Sequence, residues 1–295
     1  MQRATLIGLG LLIFGNIFSA LYDVSVKWLP DDANGASFLL LRQLTSVLML
    51  LPLWWLAGRP ATNHLPLHLW RAGIGVVGAL FLILGLMALP LATVSSLFYS
   101  APLMIMLLGW WLLGERVSAG QWVCALLGFA GVLIILAPTE LGWAGLMVLG
   151  AALTFSLCQL SLRKLPVTES PVLTMLLYNL LGLPIALIFA AFNNFAGFSW
   201  SLLWVALASN LFLMAYHWFC VLAYRRARAA DIAVAEYSGL LFIVTLGWLW
   251  FDEWPGEAVW WGAALVVLPS AVYPLLARLW QARGNSALIR RTQRP

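Results

Sequence analysis

Apolar runs long enough to cross a lipid bilayer follow one another along the whole 295-residue chain. A membrane-spanning helix needs about 20 predominantly apolar residues, and charged residues, Pro and Gly divide the chain into runs near this length. The predicted helices span 4–27, 35–57, 72–89, 92–113, 119–137, 142–162, 170–192, 201–223, 230–251 and 257–279. Only 9% of the residues are charged, against about 25% in soluble domains. The sequence therefore predicts an all-α integral membrane protein with ten transmembrane helices, and it excludes a water-soluble fold.

The positions of Lys and Arg predict how these helices are oriented, because cytoplasmic loops carry an excess of both residues. With a cytoplasmic N-terminus, all 16 Lys and Arg residues except Lys27 and Arg42 fall on the inner side. Acidic residues such as Glu140 and Asp252 fall in the outer loops. We therefore expect a multi-pass protein of the cytoplasmic (inner) membrane, with both termini cytoplasmic and a basic tail at 281–295.

The chain also repeats itself at an offset of 138 residues. The paired positions are Tyr99-Ser100 with Tyr237-Ser238, Glu115 with Glu253, and Trp122 with Trp260. These pairs divide the chain into two five-helix halves, 1–137 and 138–280. An odd number of helices in each half makes the second copy enter the membrane from the opposite side. Inverted repeats of this kind are typical of secondary transporters, whose substrate site lies at the repeat interface near the bilayer midplane.

Several motifs follow in an order that resembles the drug/metabolite transporter superfamily and, within it, the ten-helix EamA family. They are Phe38–Arg42, Ala92–Ser96, Pro102, Gly114–Arg116, Gly128 and Gly131. The resemblance implies a central cavity between helices one to four and six to nine, with helices five and ten at the periphery. It also implies export or exchange of small metabolites such as amino acids, without ATP. The second copy departs from the pattern at Leu240, which stands at the position of Pro102.

Ionisable residues within the predicted spans are candidates for function, because a charge inside a bilayer is costly and is usually kept for a purpose. Asp23 continues a polar stripe with Asn16 and Ser19 on one face of the first helix. Arg42 is expected at a similar depth in the second helix, so an ion pair with Asp23 is one interpretation. In the other, Asp23 pairs with Lys27 and Arg42 extends to the outer interface.

Glu236 and His217 are a second pair of ionisable residues, expected at similar depth in helices nine and eight. One interpretation is that Glu236, together with Asp23, carries a coupling proton during transport. The other is that Glu236 and His217 form a fixed hydrogen-bonded pair that holds the two helices together. His217 shares a helix face with Asn210, seven residues earlier.

Smaller polar side chains are candidates for shaping the cavity, although hydrogen bonds between helices are the more common role of such residues. The predicted substrate-binding residues are Asn16, Ser19, Asp23, Arg42, Ser95, Tyr99, Thr154, Asn210, His217 and Tyr237.

Other site patterns do not fit their context. Gly73, Gly75 and Gly78 match a dinucleotide-binding spacing but lie inside an apolar run, where close helix packing explains them. His64 and His68 are spaced like metal ligands, but Pro66 between them disfavours a regular helix and no third ligand is near. We expect no enzyme activity, no metal, no cofactor and no nucleic-acid partner.

The function predicted from the sequence is secondary active transport of amino acids or related amines by alternating access, with export or exchange as the direction. The expected partners are a small-molecule substrate, the lipid bilayer and a coupling proton, for a monomer or weak homodimer. The alternative hypothesis is a lipid flippase or a membrane interaction subunit.

Overall fold

The structure, a computed structural model, describes residues 2–26, 28–30, 32–89, 91–136 and 142–251, with a few positions between 257 and 269. Its long helices are α1 (Gln2–Val26), α2 (Gly35–Leu56) and α3 (Leu65–Ala88), then α7 (Trp143–Leu162), α8 (Pro171–Phe192) and α9 (Trp200–Arg226). The shorter helices are α4 (Leu91–Phe98), α5 (Ala101–Leu113), α6 (Ala119–Leu136), α10 (Ala229–Ile232) and α11 (Ser238–Phe251), with a 3-10 turn at Ala233–Tyr237. No strand occurs among the described residues.

Seven segments are long and apolar enough to cross a bilayer within this described part of the chain. They are the six long helices and the segment Ala233–Trp250. Large apolar side chains such as Leu56, Trp111 and Phe192 are 81%, 73% and 83% exposed, as is expected of a surface that faces lipid. The all-helical membrane fold predicted from the sequence is therefore confirmed. The predicted tenth helix lies largely outside the described residues, and Lys27 and the basic tail lie entirely outside them.

Polar residues at the helix starts explain several of the boundaries. The side chain of Asn34 accepts hydrogen bonds from the backbone N–H groups of Ala36 and Ser37 at the start of α2. Ser170 and Ser199 cap α8 and α9 in the same way. Such caps satisfy backbone donors that have no partner within the helix.

Helix α3 begins at Leu65, seven residues before the predicted start at 72. Pro66 falls in its first turn, two residues after the N-cap residue His64. A Pro is tolerated there because its missing N–H would have no acceptor inside the helix. The interpretation that Pro66 disfavours a helix at 64–68 was therefore wrong, and the longer helix brings Arg71 inside the membrane-spanning segment.

Two helices predicted as continuous are interrupted at matching places. Residues 92–113 are divided into α4 and α5 by Tyr99 and Ser100, just before Pro102 in the first turn of α5. Residues 230–251 are divided into α10, the 3-10 turn and α11. Glu236 therefore lies in an irregular turn and not in a regular helix.

The helices pack in a bundle around a central space. Helix α1 packs against α9 and α11, α3 packs against α7 and α8, and α2 packs against α8 and α9. A Cβ atom at Gly75 would overlap the ring of Tyr178, and one at Gly78 would overlap Thr154. Close helix packing therefore explains these two glycines, as the sequence predicts.

Candidate functional site

A central cavity opens between α1, α2, α3, α4, α5, α7, α8, α9, the 3-10 turn and α11, and it holds about 1310 Å³ of space, counting the part open to solvent. The predicted site residues that line it are Asn16, Ser19, Asp23, Arg42, Ser95, Tyr99, Thr154, His217 and Glu236. Asn210 and Tyr237 are not among the lining residues. The fold therefore gathers most of the predicted polar residues around one space.

Asp23 is half-buried on the cavity side of α1. No hydrogen bond or ion pair joins its carboxylate to another residue that the structure describes, and Lys27 lies outside that set. The expected ion pair with Arg42 is thus not among the described contacts. The carboxylate of Asp23 therefore lies at the cavity without a bond to any described residue.

Arg42 is bonded to an aromatic residue instead. Its Nη1 donates a hydrogen bond to the Tyr22 hydroxyl at 2.8 Å, and its guanidinium lies 5.7 Å from the centre of the Tyr22 ring. The residue is only 5% exposed, so the interpretation that it extends to the outer interface was wrong.

Asn16 connects α1 to the irregular segment that contains Glu236. Its Nδ2 donates to the carbonyl oxygen of Ala235 at 3.0 Å, to that of Glu236 at 3.3 Å and to the Ser238 hydroxyl at 3.0 Å. These bonds use backbone carbonyls that a regular helix would satisfy internally. The side chain therefore stabilises the 3-10 turn beside the cavity.

Glu236 accepts hydrogen bonds from two tyrosines of α9. The Tyr224 hydroxyl lies 2.8 Å from Oε1, and the Tyr216 hydroxyl lies 3.4 Å from Oε2. The predicted hydrogen-bonded pair of Glu236 with His217 was wrong. The His217 ring instead makes an edge contact with the Tyr178 ring, with the centroids 5.8 Å apart.

The two predicted residues outside the lining hold helices together. Asn210 accepts a hydrogen bond from the Ser46 hydroxyl at 2.6 Å and donates one to the Thr45 hydroxyl at 3.2 Å, which joins α9 to α2. The Tyr237 hydroxyl donates to the carbonyl oxygen of Ala125 at 3.0 Å, which joins the 3-10 turn to α6.

Arg71 is a cavity residue that the sequence analysis missed, because it was assigned to an inner loop. It is 5% exposed, it lines the cavity, and its guanidinium lies 6.0 Å from the centre of the Tyr178 ring. The available signal was Pro66, since Pro in a first turn marks a helix that begins there and carries Arg71 inward.

Aromatic rings form much of the remaining wall. Phe98 and Phe155 lie 5.2 Å apart between ring centroids, and Phe155 stacks on Tyr216 at 6.5 Å. A cavity with apolar rings and a few charged groups suits a small organic molecule that also carries charge.

A second group of charged residues lies outside the cavity lining and consists of His68, Glu169 and Arg225. His68 Nε2 lies 3.2 Å from Glu169 Oε1. Arg225 donates to the carbonyl oxygens of Val167 and Glu169. These contacts connect the start of α3, the α7–α8 loop and the end of α9, so they stabilise one end of the bundle.

A multi-pass helical fold around a partly charged cavity is the architecture of a membrane transporter. Comparisons with known proteins agree with it. Residues 6–137 match the EamA-like transporter family. The chain is 30% identical to the riboflavin transporter of Rhizobium johnstonii over 275 residues, which cover 91% of each protein. It is 24% identical to the S-adenosylmethionine uptake transporter of Rickettsia prowazekii over 87% of this chain and 88% of the other.

Among solved structures, a crystal structure with a TM-score of 0.71 and 21% sequence identity shares the fold over 93% of this chain and 99% of the other. The chain belongs to the EamA-like transporter family of the drug/metabolite transporter superfamily, as its motifs predict. It is therefore a multi-pass membrane transporter and not an enzyme.

Proposed function

We propose that the protein is a secondary active transporter that exports or exchanges small metabolites, namely amino acids or related amines. The observation that carries this proposal is the charge of the cavity, where the carboxylate of Asp23 and the guanidinium groups of Arg42 and Arg71 face the same space. A zwitterion offers an ammonium group to the first and a carboxylate to the other two. The S-adenosylmethionine carried by one relative contains such an amino-acid head.

Alternating access between two inverted five-helix repeats, 1–137 and 138–280, is the transport mechanism that we infer. Helix packing supports it, because the contact of α1 with α9 has a counterpart in that of α7 with α3. Likewise, the contact of α1 with α11 has a counterpart in that of α7 with α5. The interruptions at Tyr99 and Tyr237 also match, and discontinuous helices are typical of transporter binding sites. In this arrangement both termini and the basic tail at 281–295 lie on the cytoplasmic side of the inner membrane.

Asp23 and Glu236 are the residues that we assign to proton coupling. Both carboxylates line the cavity, so each can exchange a proton with whichever side of the membrane the cavity faces. Glu236 also lies in the irregular turn, whose backbone can rearrange without breaking a long helix. We also infer a monomer or weak homodimer.

Riboflavin is a second candidate substrate, favoured by a specific observation. The relative with 30% identity over 91% of each protein is a riboflavin transporter, and the cavity has the rings of Phe98, Phe155, Tyr178 and Tyr216 on which a flavin can stack. Riboflavin carries no ammonium group and no carboxylate, so under this candidate the charged residues act through hydrogen bonds alone.

Counterflow in proteoliposomes tests the two candidates. Vesicles that contain the purified chain are loaded with one unlabelled compound and exposed to the same compound in labelled form, using amino acids, S-adenosylmethionine and riboflavin in separate arms. We expect labelled amino acids to accumulate in the vesicles. Accumulation of riboflavin with none of the amino acids would overturn the first candidate and favour the second.

A further inference from the structure

Two buried guanidinium groups of the cavity have N–H groups that do not bond to the rest of the described fold. Arg42 and Arg71 are each 5% exposed, and both line the cavity. Arg225 is also buried, and its Nε and Nη1 likewise have no acceptor among the described residues. It lies outside the lining, however, and its Nη2 donates to the carbonyl oxygens of Val167 and Glu169. Arg42 and Arg71 differ from it because they line the cavity, where a ligand can reach their N–H groups.

Several N–H groups of the cavity pair have no acceptor among the described residues. They are Nε of Arg42 and both Nε and Nη1 of Arg71. Neither guanidinium forms an ion pair with a carboxylate in this part of the chain. A buried charge without a partner is expensive, in a bilayer above all. Two such groups facing one space therefore indicate that a ligand supplies the missing acceptors.

Both guanidinium groups lie near aromatic rings of the cavity. Arg42 lies 5.7 Å from the centre of the Tyr22 ring, and Arg71 lies 6.0 Å from the centre of the Tyr178 ring, which contacts His217. Gly75 allows this arrangement, since any Cβ at that position would overlap the Tyr178 ring. Gly75 follows Arg71 by one helical turn, so Arg71 and the contact with Tyr178 share one face of α3.

The carboxylates of the cavity have other neighbours. Glu236 accepts hydrogen bonds from Tyr216 and Tyr224, and Asp23 forms no ion pair with Arg42 or Arg71. Both carboxylates line the same cavity as the two arginines. Groups of both signs are therefore available to a ligand that carries both charges.

We propose that Arg42 and Arg71 form an anion subsite that binds a carboxylate or phosphate group of the transported molecule. The inference rests on the proposed function, in which the cavity receives a charged metabolite. The Nε and Nη1 groups of Arg71 each have an N–H that can donate to an oxygen of such an anion. Arg42 contributes a further donor through Nε, while its Nη1 remains bonded to Tyr22. The aromatic wall then holds the body of the ligand.

Benzoate and benzamide provide a matched pair of probes, because they share a ring and nearly the same shape but only benzoate is charged. Binding to the purified full chain is measured by competition against radiolabelled benzoate and by the melting temperature in detergent. A ligand that binds only the folded state raises this temperature. We expect benzoate to raise it and benzamide to leave it unchanged. Phenyl phosphate, in a separate arm, distinguishes a phosphate preference from a carboxylate preference.

Variants then assign the effect to the two residues. Arg42→Gln and Arg71→Gln should each weaken benzoate binding about 10- to 100-fold, as expected for the loss of a hydrogen bond to a charged group. Arg71→Lys keeps the positive charge and should bind with intermediate affinity. The control is Arg116→Gln, because Arg116 is exposed and outside the cavity lining, and its affinity should match that of the wild type. The proposal is overturned if benzamide binds as well as benzoate, or if both folded Gln variants keep the affinity of the wild type.

The outcomes separate this inference from the proposed function. If benzoate binding depends on both arginines but no amino acid undergoes counterflow, the function is wrong and the anion subsite stands. If amino acids are transported but their amides compete equally well, the function stands and the anion subsite is wrong.

Discussion

The rings of Tyr99 and Tyr237 pack against each other, with centroids 6.3 Å apart and planes inclined by 37°. The two residues occupy equivalent positions in the proposed repeats. In a two-fold arrangement, equivalent residues contact each other only near the axis that relates the two halves. The interrupted helices of both halves therefore meet beside this contact, next to the cavity that Tyr99 lines.

The close packing of Gly239 against Tyr99 gives a first prediction. A Cβ atom at Gly239 would overlap the Tyr99 hydroxyl, whereas the ring carbon Cζ lies 3.5 Å from the same point. Gly239→Ala should therefore destabilise the protein by about 1–3 kcal/mol through overpacking. Adding Tyr99→Phe removes the overlapping oxygen and should restore most of the loss. Melting temperatures of the single and double variants measure this coupling, and a Gly239→Ala protein as stable as the wild type would show that the contact is looser than described.

Asp23 and Asn16 lie on the same face of α1 but should respond differently to substitution. Asp23→Asn should weaken substrate binding at least about 10-fold by removing one charge while leaving the melting temperature unchanged, because no described residue bonds to this carboxylate. Asn16→Ala should instead lower the melting temperature, since its amide makes three bonds to the region of Ala235, Glu236 and Ser238. Transport and thermal stability are measured on both variants. If Asp23→Asn unfolds the protein, the residue has a structural role that the described contacts do not include.

Asn210 tests whether a buried polar residue of the bundle supports helix packing or substrate binding. Asn210→Ala leaves the hydroxyls of Thr45 and Ser46 without their α9 partner, so it should cost about 1–3 kcal/mol of stability. Affinity for a transported amino acid should stay within a factor of about two of the wild type, because Asn210 is outside the cavity lining. A large loss of affinity in a folded variant would return Asn210 to the substrate-binding residues, where the sequence analysis placed it.

The proposed orientation is tested by reporter fusions at loops on opposite sides of the membrane. A fusion after Gly197 should report the outside, and fusions after Arg59 and Arg228 should report the inside, because cytoplasmic loops retain the excess of Lys and Arg. Gly197 is a suitable position since the preceding residues Asn194 and Phe195 belong to a turn with positive φ angles of 51°. An inside signal after Gly197 would invalidate the orientation and, with it, the assignment of both termini to the cytoplasm.

Sequence patterns predicted the helices and the polar stripe but not the partners of individual side chains. The spacing of Asn16, Ser19 and Asp23 correctly indicated one face of α1, because helical periodicity depends on local geometry alone. The partner of Glu236 could not be obtained in this way. Tyr216 and Tyr224 lie on one face of α9, two turns apart, but only the tertiary fold brings that face to the 3-10 turn.

The failure to predict Arg71 as a cavity residue has a different cause. Arg71 was assigned to a loop because the charge and Pro66 interrupted the apolar run, and an interruption also marks a helix start. The turns at Tyr99 and Tyr237 were not predicted for a related reason, because the largely apolar composition continues through both interruptions. Composition measures suitability for the membrane, whereas the backbone breaks depend on hydrogen bonds such as those of Asn16.

Glu236 allows proton coupling to be separated from structural support. Glu236→Gln keeps the shape of the side chain and an oxygen that can accept the Tyr224 hydroxyl, but it cannot change charge. If this carboxylate carries the coupling proton, the variant should lose accumulation driven by a pH gradient and retain counterflow of labelled for unlabelled amino acid.

Tyr224→Phe is the matched control, because it removes the 2.8 Å hydrogen bond and leaves the carboxylate titratable. That variant should lose stability, by about 1 kcal/mol or more, but keep its response to the gradient. Loss of both activities in Glu236→Gln, together with a lower melting temperature, would identify Glu236 as a brace to α9, and an unchanged response to the gradient would dismiss its coupling role.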